Sequence, residues 1–74
     1  MTLVRILIWN LADSRTSLDE VRDRVEPEDD VRFIWNEAQE RFGLIALGTD
    51  VPQFVELREL IGKEPEIAEE YDAT

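Results

Sequence analysis

The sequence predicts an α+β domain in which a four-stranded antiparallel sheet carries two helices on one face. Three observations lead there. Apolar residues alternate with a period of two across residues 3–11, 31–36 and 41–48, as strands require. They recur at three- and four-residue spacing after Ser17 and again after Asp50, as helices with one buried face require. The last segment, residues 64–74, holds Ile67 and Tyr71 four apart. That spacing suits either a helical turn or one face of an edge strand. The strand is preferred, because it pairs with the first strand and completes the sheet.

Each element has a local justification. In the first strand Val4, Ile6 and Ile8 share one face, and Leu3, Arg5, Leu7 and Trp9 share the other. A strand apolar on both sides belongs in the middle of a sheet. Residues 12–16 form a loop. Ser17 then caps a helix, with Glu20 three residues on to complete a capping box. Leu18, Val21 and Val25 form its apolar stripe, and Pro27 stops it near Arg24 or Val25. Val31, Phe33 and Trp35 alternate with Arg32, Ile34 and Asn36; one apolar face and one mixed face describe an edge strand. Residues 37–40 turn the chain. Phe42, Leu44 and Ala46 then alternate with Ile45 and Leu47, so this strand is central too. Asp50 caps the second helix, with Pro52 in its first turn and Gly62 as a left-handed stop. Val51, Phe54, Val55, Leu57, Leu60 and Ile61 give that helix a broad apolar stripe.

The order strand, helix, strand, strand, helix, strand is that of the ferredoxin-like βαββαβ sandwich. Residues 1–74 are read as a single domain of that kind. Such a fold leaves one sheet face without helices, and that open face is where a function is expected.

Composition narrows the chemistry. A chain of 74 residues buries only about 60% of its unfolded surface, and domains of this size often lean on disulfides, a metal or a partner subunit. Cysteine and histidine are both absent. That excludes disulfides, thiolate or imidazole metal sites, and His- or Cys-based catalysis. Carboxylate-only cation sites remain, but no EF-hand spacing occurs. No catalytic residue, cofactor or metal is predicted, and self-association is left as the common route to added stability. The net charge is −10, from 18 acids against 8 bases. Such a chain repels phosphate backbones and anionic membranes, so neither direct nucleic-acid binding nor membrane binding is expected. The opening run MTLVRILIWN carries Arg5 and no cleavage site, and it is far shorter than the ~20 residues of a membrane span. A cytoplasmic location is the expectation.

Five features are candidates for function. Alternation allows Leu3, Arg5, Leu7 and Trp9 to lie on the open face, where a bare apolar patch needs a cover. A second copy of the chain is the preferred cover; a protein partner or a small apolar ligand is the alternative. Next, Trp9-Asn10 and Trp35-Asn36 both close an Ile-Trp-Asn run. If the two strands run parallel, both pairs reach the same rim, where they would frame a flat ligand. The plainer reading makes the indoles fillers and the asparagines strand ends. Arg5, a charge in an apolar strand, needs a partner, and Glu66 or Glu70 of the last strand is the expected one. An anionic ligand or an acid of a second subunit would also serve. The acids from Asp19 to Asp30 read as a solvated face, or more sharply as mimicry of a nucleic-acid backbone. Residues 12–17 precede a helix but contain no glycine, so a phosphate-cradling loop is not expected there and capping by Ser17 suffices.

At the level of fold only, the chain is similar to small ferredoxin-like proteins that dimerise through their sheets into an α+β barrel. Some of these, the antibiotic-biosynthesis monooxygenase type, act on bound aromatic molecules, including haem. Haem-degrading members pair a tryptophan and an asparagine with a histidine; this chain has no histidine, so axial histidine ligation is impossible. RNA-recognition modules need a basic sheet, and metal-carrying modules of this fold need a Cys-x-x-Cys. The leading expectation is a small, acidic, non-enzymatic binding protein, homodimeric through the open sheet face. The alternatives are a cofactor-free enzyme of the dimeric barrel type, with Trp9, Asn10, Trp35 and Asn36 around its pocket, and an acidic decoy of a nucleic-acid-binding protein.

Overall fold

The computed structural model describes residues 2–26, 28–48 and 51–73. The chain forms β1 (Thr2–Asn10), α1 (Leu18–Arg24), β2 (Val31–Asn36), β3 (Arg41–Leu47), α2 (Pro52–Ile61) and β4 (Ile67–Ala73). The strands build one antiparallel sheet in the order β2-β3-β1-β4. The two strands that are apolar on both faces are central, and the strand with a mixed face lies at one edge. The final segment is a strand at the other edge, paired with β1.

Both helices pack on one face of the sheet. From the strands that face presents Leu7, Trp9, Val31, Phe42, Leu44 and Ala46, which are buried with Val21 of α1 and with Leu57 and Ile61 of α2. The α1 stripe is as expected: Val21 is fully buried, with Leu18 and Val25 packed beside it. Its start is capped, since the Glu20 N–H donates to Ser17 Oγ at 3.2 Å. The stripe of α2 differs. Gln53, Leu57 and Ile61 form the buried line, and Val55, expected inside, is exposed. Val55 follows Gln53 by two residues, roughly 200° round the helix, so it cannot share that line. Pro52 begins α2 and Val51 stands at its N-cap without a side-chain hydrogen bond. Asp50, expected to cap it, and Pro27, expected to stop α1, lie outside the described residues. Gly62 ends α2 in the left-handed conformation at φ 84°, its N–H donating to the Arg58 carbonyl at 2.8 Å.

The loop between β1 and α1 has a role the sequence reading missed. The last turn of a helix leaves carbonyls without partners. Here Thr16 Oγ1 donates to the Leu60 carbonyl at 2.9 Å and Ser14 Oγ donates to the Ile61 carbonyl at 3.3 Å. Just beyond, the Trp9 indole N–H donates to the Lys63 carbonyl at 2.9 Å. Three side chains from the start of the chain thus close the end of α2. Among the described residues, no helix is long and apolar enough to cross a membrane.

Candidate interaction face of the sheet

The strand register defines the face opposite the helices. On β1 it carries Val4, Ile6 and Ile8, and on β3 Gly43, Ile45 and Leu47. Ile34 of β2 and Ile67 and Tyr71 of β4 complete it. Lateral pairing arranges them in rows. One row runs Tyr71, Val4, Leu47; the next Glu69, Ile6, Ile45, Arg32; the next Ile67, Ile8, Gly43, Ile34. Leu47 is 48% exposed and Tyr71 50%, while the isoleucines are half-buried by one another. No element among the described residues covers this face.

The expected face assignment is therefore corrected. Leu7 and Trp9 lie beneath the helices, almost fully buried, and Leu3 and Arg5 share their side of β1. Alternation alone allowed either side of β1 to be the open one, and Arg5 does not mark it. Its guanidinium instead reaches sideways to the Glu70 carboxylate of the neighbouring strand at 3.2 Å. This is the expected structural ion pair, with one of the two expected partners. The other, Glu66, pairs with Arg41 at 3.4 Å.

The two Trp-Asn pairs do share a rim. Trp9 and Trp35 both lie beside Phe42, and Asn10 and Asn36 both lie beside Arg41. They do not enclose a joint pocket. Trp9 is fully buried on the helix side, its ring 6.0 Å from that of Phe54. Trp35 is half exposed at the sheet edge, stacked on Phe42 at 6.3 Å and beneath the Arg22 guanidinium at 5.1 Å. Asn10 Oδ1 accepts the Ala12 N–H at 3.0 Å and Asn36 Oδ1 accepts the Gln39 N–H at 3.2 Å. Both asparagines thereby terminate their strands by local turns.

A hollow interrupts the open face. A cavity of about 210 Å³ lies at the Asn36 end of the face, lined by Ile8, Ile34 and Gly43, by Trp35 and Phe42, and by the polar Asn36, Gln39 and Arg41. Its physical origin is Gly43, which has no side chain where its neighbours carry isoleucine. That glycine is required by close strand approach: a Cβ there would stand 2.1 Å from the Leu7 carbonyl oxygen.

The electrostatics of the face depart from those of the whole chain. Of the acids in the strands, Glu70 and Asp72 lie on the helix side and Glu69 alone on the open side. Arg32 occupies the opposite end of its row. The Tyr71 hydroxyl donates to Glu69 Oε2 at 2.5 Å. That hydrogen bond, and then the carboxylate charge, raise the Tyr71 pKa above that of a free phenol.

The residues that build this face were legible as apolar but were assigned to the wrong side. The signal that would have sorted them lies in β2. Its large apolar side chains are Val31, Phe33 and Trp35, and register carries their side across to Phe42 and Leu44 and then to Leu7 and Trp9. No protein-family model matches the chain, and no curated protein sequence matches it.

Proposed function

We propose that the chain is a ferredoxin-like, non-enzymatic interaction module that works as a homodimer joined through the aliphatic face of its sheet. The observation that carries this reading is the face itself. Isoleucine, valine and leucine occupy adjacent positions on all three rows without a covering element. Contiguous apolar surface of that kind marks interaction sites on small domains. The scarcity of strand acids on this side, in a chain of net charge −10, supports a second copy as the occupant, because like-charged chains approach best where their acids are fewest. The marginal core of so short a chain gains from the same association.

The enzyme alternative has weaker support. Trp9 has its N–H engaged and no exposed surface. The hollow beside Trp35 and Asn36, about 210 Å³, is smaller than the ~300–1,000 Å³ of small-molecule sites, and the roomier cleft of about 380 Å³ on the other side of Trp35 is lined by none of Trp9, Asn10 and Asn36. The decoy alternative rests on acid count alone.

The test is molar mass in solution by light scattering on a sizing column, across a wide protein concentration range. Twice the 8.6 kDa chain mass is expected. A mass of one chain at every concentration would remove the homodimer. Tryptophan fluorescence titrated with flat aromatic compounds and haem should stay flat; a saturable response lost on Asn36→Ala would favour the enzyme reading.

A further inference from the structure

Taking that self-association as its premise, we propose that the two copies pair about a two-fold axis running along the strands. Ile8 of each copy then fills the hollow over Gly43 of the other, and Arg32 of each meets Glu69 of the other.

Strands lie about 4.8 Å apart, so in the order β2-β3-β1-β4 the edge strands sit about 7 Å either side of the midline between β3 and β1. A half-turn about an axis between the two sheets, along that midline, exchanges left for right and preserves level along the strand. Each β3 then faces the other copy's β1, and each β2 the other copy's β4. Gly43 faces Ile8, Ile45 faces Ile6 and Leu47 faces Val4, because each pair shares a row. A residue without a side chain thus receives a branched one, and the remaining central contacts are aliphatic on both sides. At the margins Arg32 and Glu69, which end the same row, stand opposite one another twice per dimer.

The competing arrangement never sets Arg32 opposite Glu69. An axis across the strands sets β2 against β2 and β4 against β4. If the axis crosses the charged row, Arg32 meets Arg32 and Glu69 meets Glu69. If it falls half a row toward Gly43, each charge meets an isoleucine, and if it falls a full row that way, Arg32 meets Asn36. Like charges repel, and a charge buried against hydrocarbon loses its hydration without compensation. Aligned sheets also pack at about −30°. An axis near the strand direction accommodates that angle with an edge shift of about 4 Å, within the reach of an arginine side chain.

The experiment measures the dimer dissociation constant of the wild-type chain, Arg32→Glu, Glu69→Arg and the double swap, by sedimentation equilibrium. Both positions are exposed, so the fold tolerates the changes. Each single reversal should weaken the dimer by about tenfold or more, and the double swap should return it to within a few-fold of wild type. A wild-type dimer whose double swap is weakened by the product of the two singles would overturn the axis while leaving self-association intact. A wild-type chain that stays monomeric would overturn the premise and the pairing together. A second readout uses the chain's lack of cysteine. Arg32→Cys mixed with Glu69→Cys should be joined by a short bis-maleimide faster than either variant alone. Preferential Arg32→Cys self-linking would reject the axis.

Discussion

Gly43 and Glu40 show how single backbone positions constrain this chain in opposite directions. Gly43 sits where β3 approaches β1 so closely that a methyl group would overlap the Leu7 carbonyl. Gly43→Ala should destabilise the domain by about 1–3 kcal/mol, as overpacked sites do, measured as a lower urea midpoint at unchanged slope. Glu40, in the turn between β2 and β3, holds φ 52° without being glycine. Left-handed backbone costs such residues about 1–2 kcal/mol. Glu40→Asn, which tolerates that region better, should raise stability by up to about 1 kcal/mol in the same assay. Tyr71 supplies a titration. Its phenol holds its proton more tightly in the folded chain than in the unfolded one, chiefly through the hydrogen bond to Glu69 and then through the charge of that carboxylate. The contribution to stability is therefore present below the unfolded pKa of about 10 and is lost as pH rises through the native value. Phenolate absorbance should appear at higher pH than for free tyrosine, and Glu69→Ala should move it back. An unchanged titration in that variant would remove Glu69 as the cause.

At the scale of elements, the helices depend on contacts outside themselves. Helix α1 has only seven residues, too few to stand alone in water. Its Ser17 cap and its packed Val21 are what hold it. Helix α2 is closed from a distance, by Ser14 and Thr16 reaching its final carbonyls and by Trp9 reaching the Lys63 carbonyl just beyond. Thr16 is 5% exposed, so its removal leaves the Leu60 carbonyl without that donor in a region water reaches poorly. Thr16→Val should cost about 1–3 kcal/mol, against about 1 kcal/mol for Ser17→Ala, whose hydrogen bond is exposed. Denaturant unfolding of the two variants side by side checks the order. Equal losses would mean that the reach from loop to helix contributes no more than an ordinary cap. The caps at Ser17 and Gly62 were legible, because both are encoded within a few residues of the helix they serve. The closure of α2 was not, because its donors and acceptors are separated by 44 residues or more, and nothing near Thr16 announces an acceptor.

For the whole molecule, charge and apolar surface are segregated. Asp19, Glu20, Asp23, Glu56 and Glu59 lie on the helices, while among the described residues the open sheet face carries Glu69 as its lone strand acid. Two chains of net charge −10 repel at distances beyond their contact, and salt screens that repulsion, with a Debye length of about 30 Å at 0.01 M and about 8 Å at 0.15 M. The proposed dimer should therefore tighten several-fold as ionic strength rises between those values, even though its proposed Arg32–Glu69 pairs would weaken. Sedimentation equilibrium at the two salt concentrations measures it. Weakening on addition of salt would mean that the charge pairs, not the aliphatic rows, hold the copies together.

Local pattern by itself determined the first five elements, the central places of β1 and β3 and the edge place of β2, and it left residues 64–74 between a helical turn and an edge strand. Alternation, caps and breakers act over a few residues, and a strand's need for burial on one face or two is written in its own side chains. Tertiary structure alone decided which side of the sheet the helices cover. Leu3, Arg5, Leu7 and Trp9 differ from Val4, Ile6 and Ile8 by one charge and one ring, too little to choose a face when both are apolar. The choice is made by volume and reach. Trp9 packs against Phe54 of α2 and its indole finds the Lys63 carbonyl, and Phe42 fills the same buried side beside Phe33 and Trp35, while the branched aliphatics and Gly43 leave the other side shallow. A strand's parity is a relation between its residues, and only the register of its neighbours turns that relation into inside and outside.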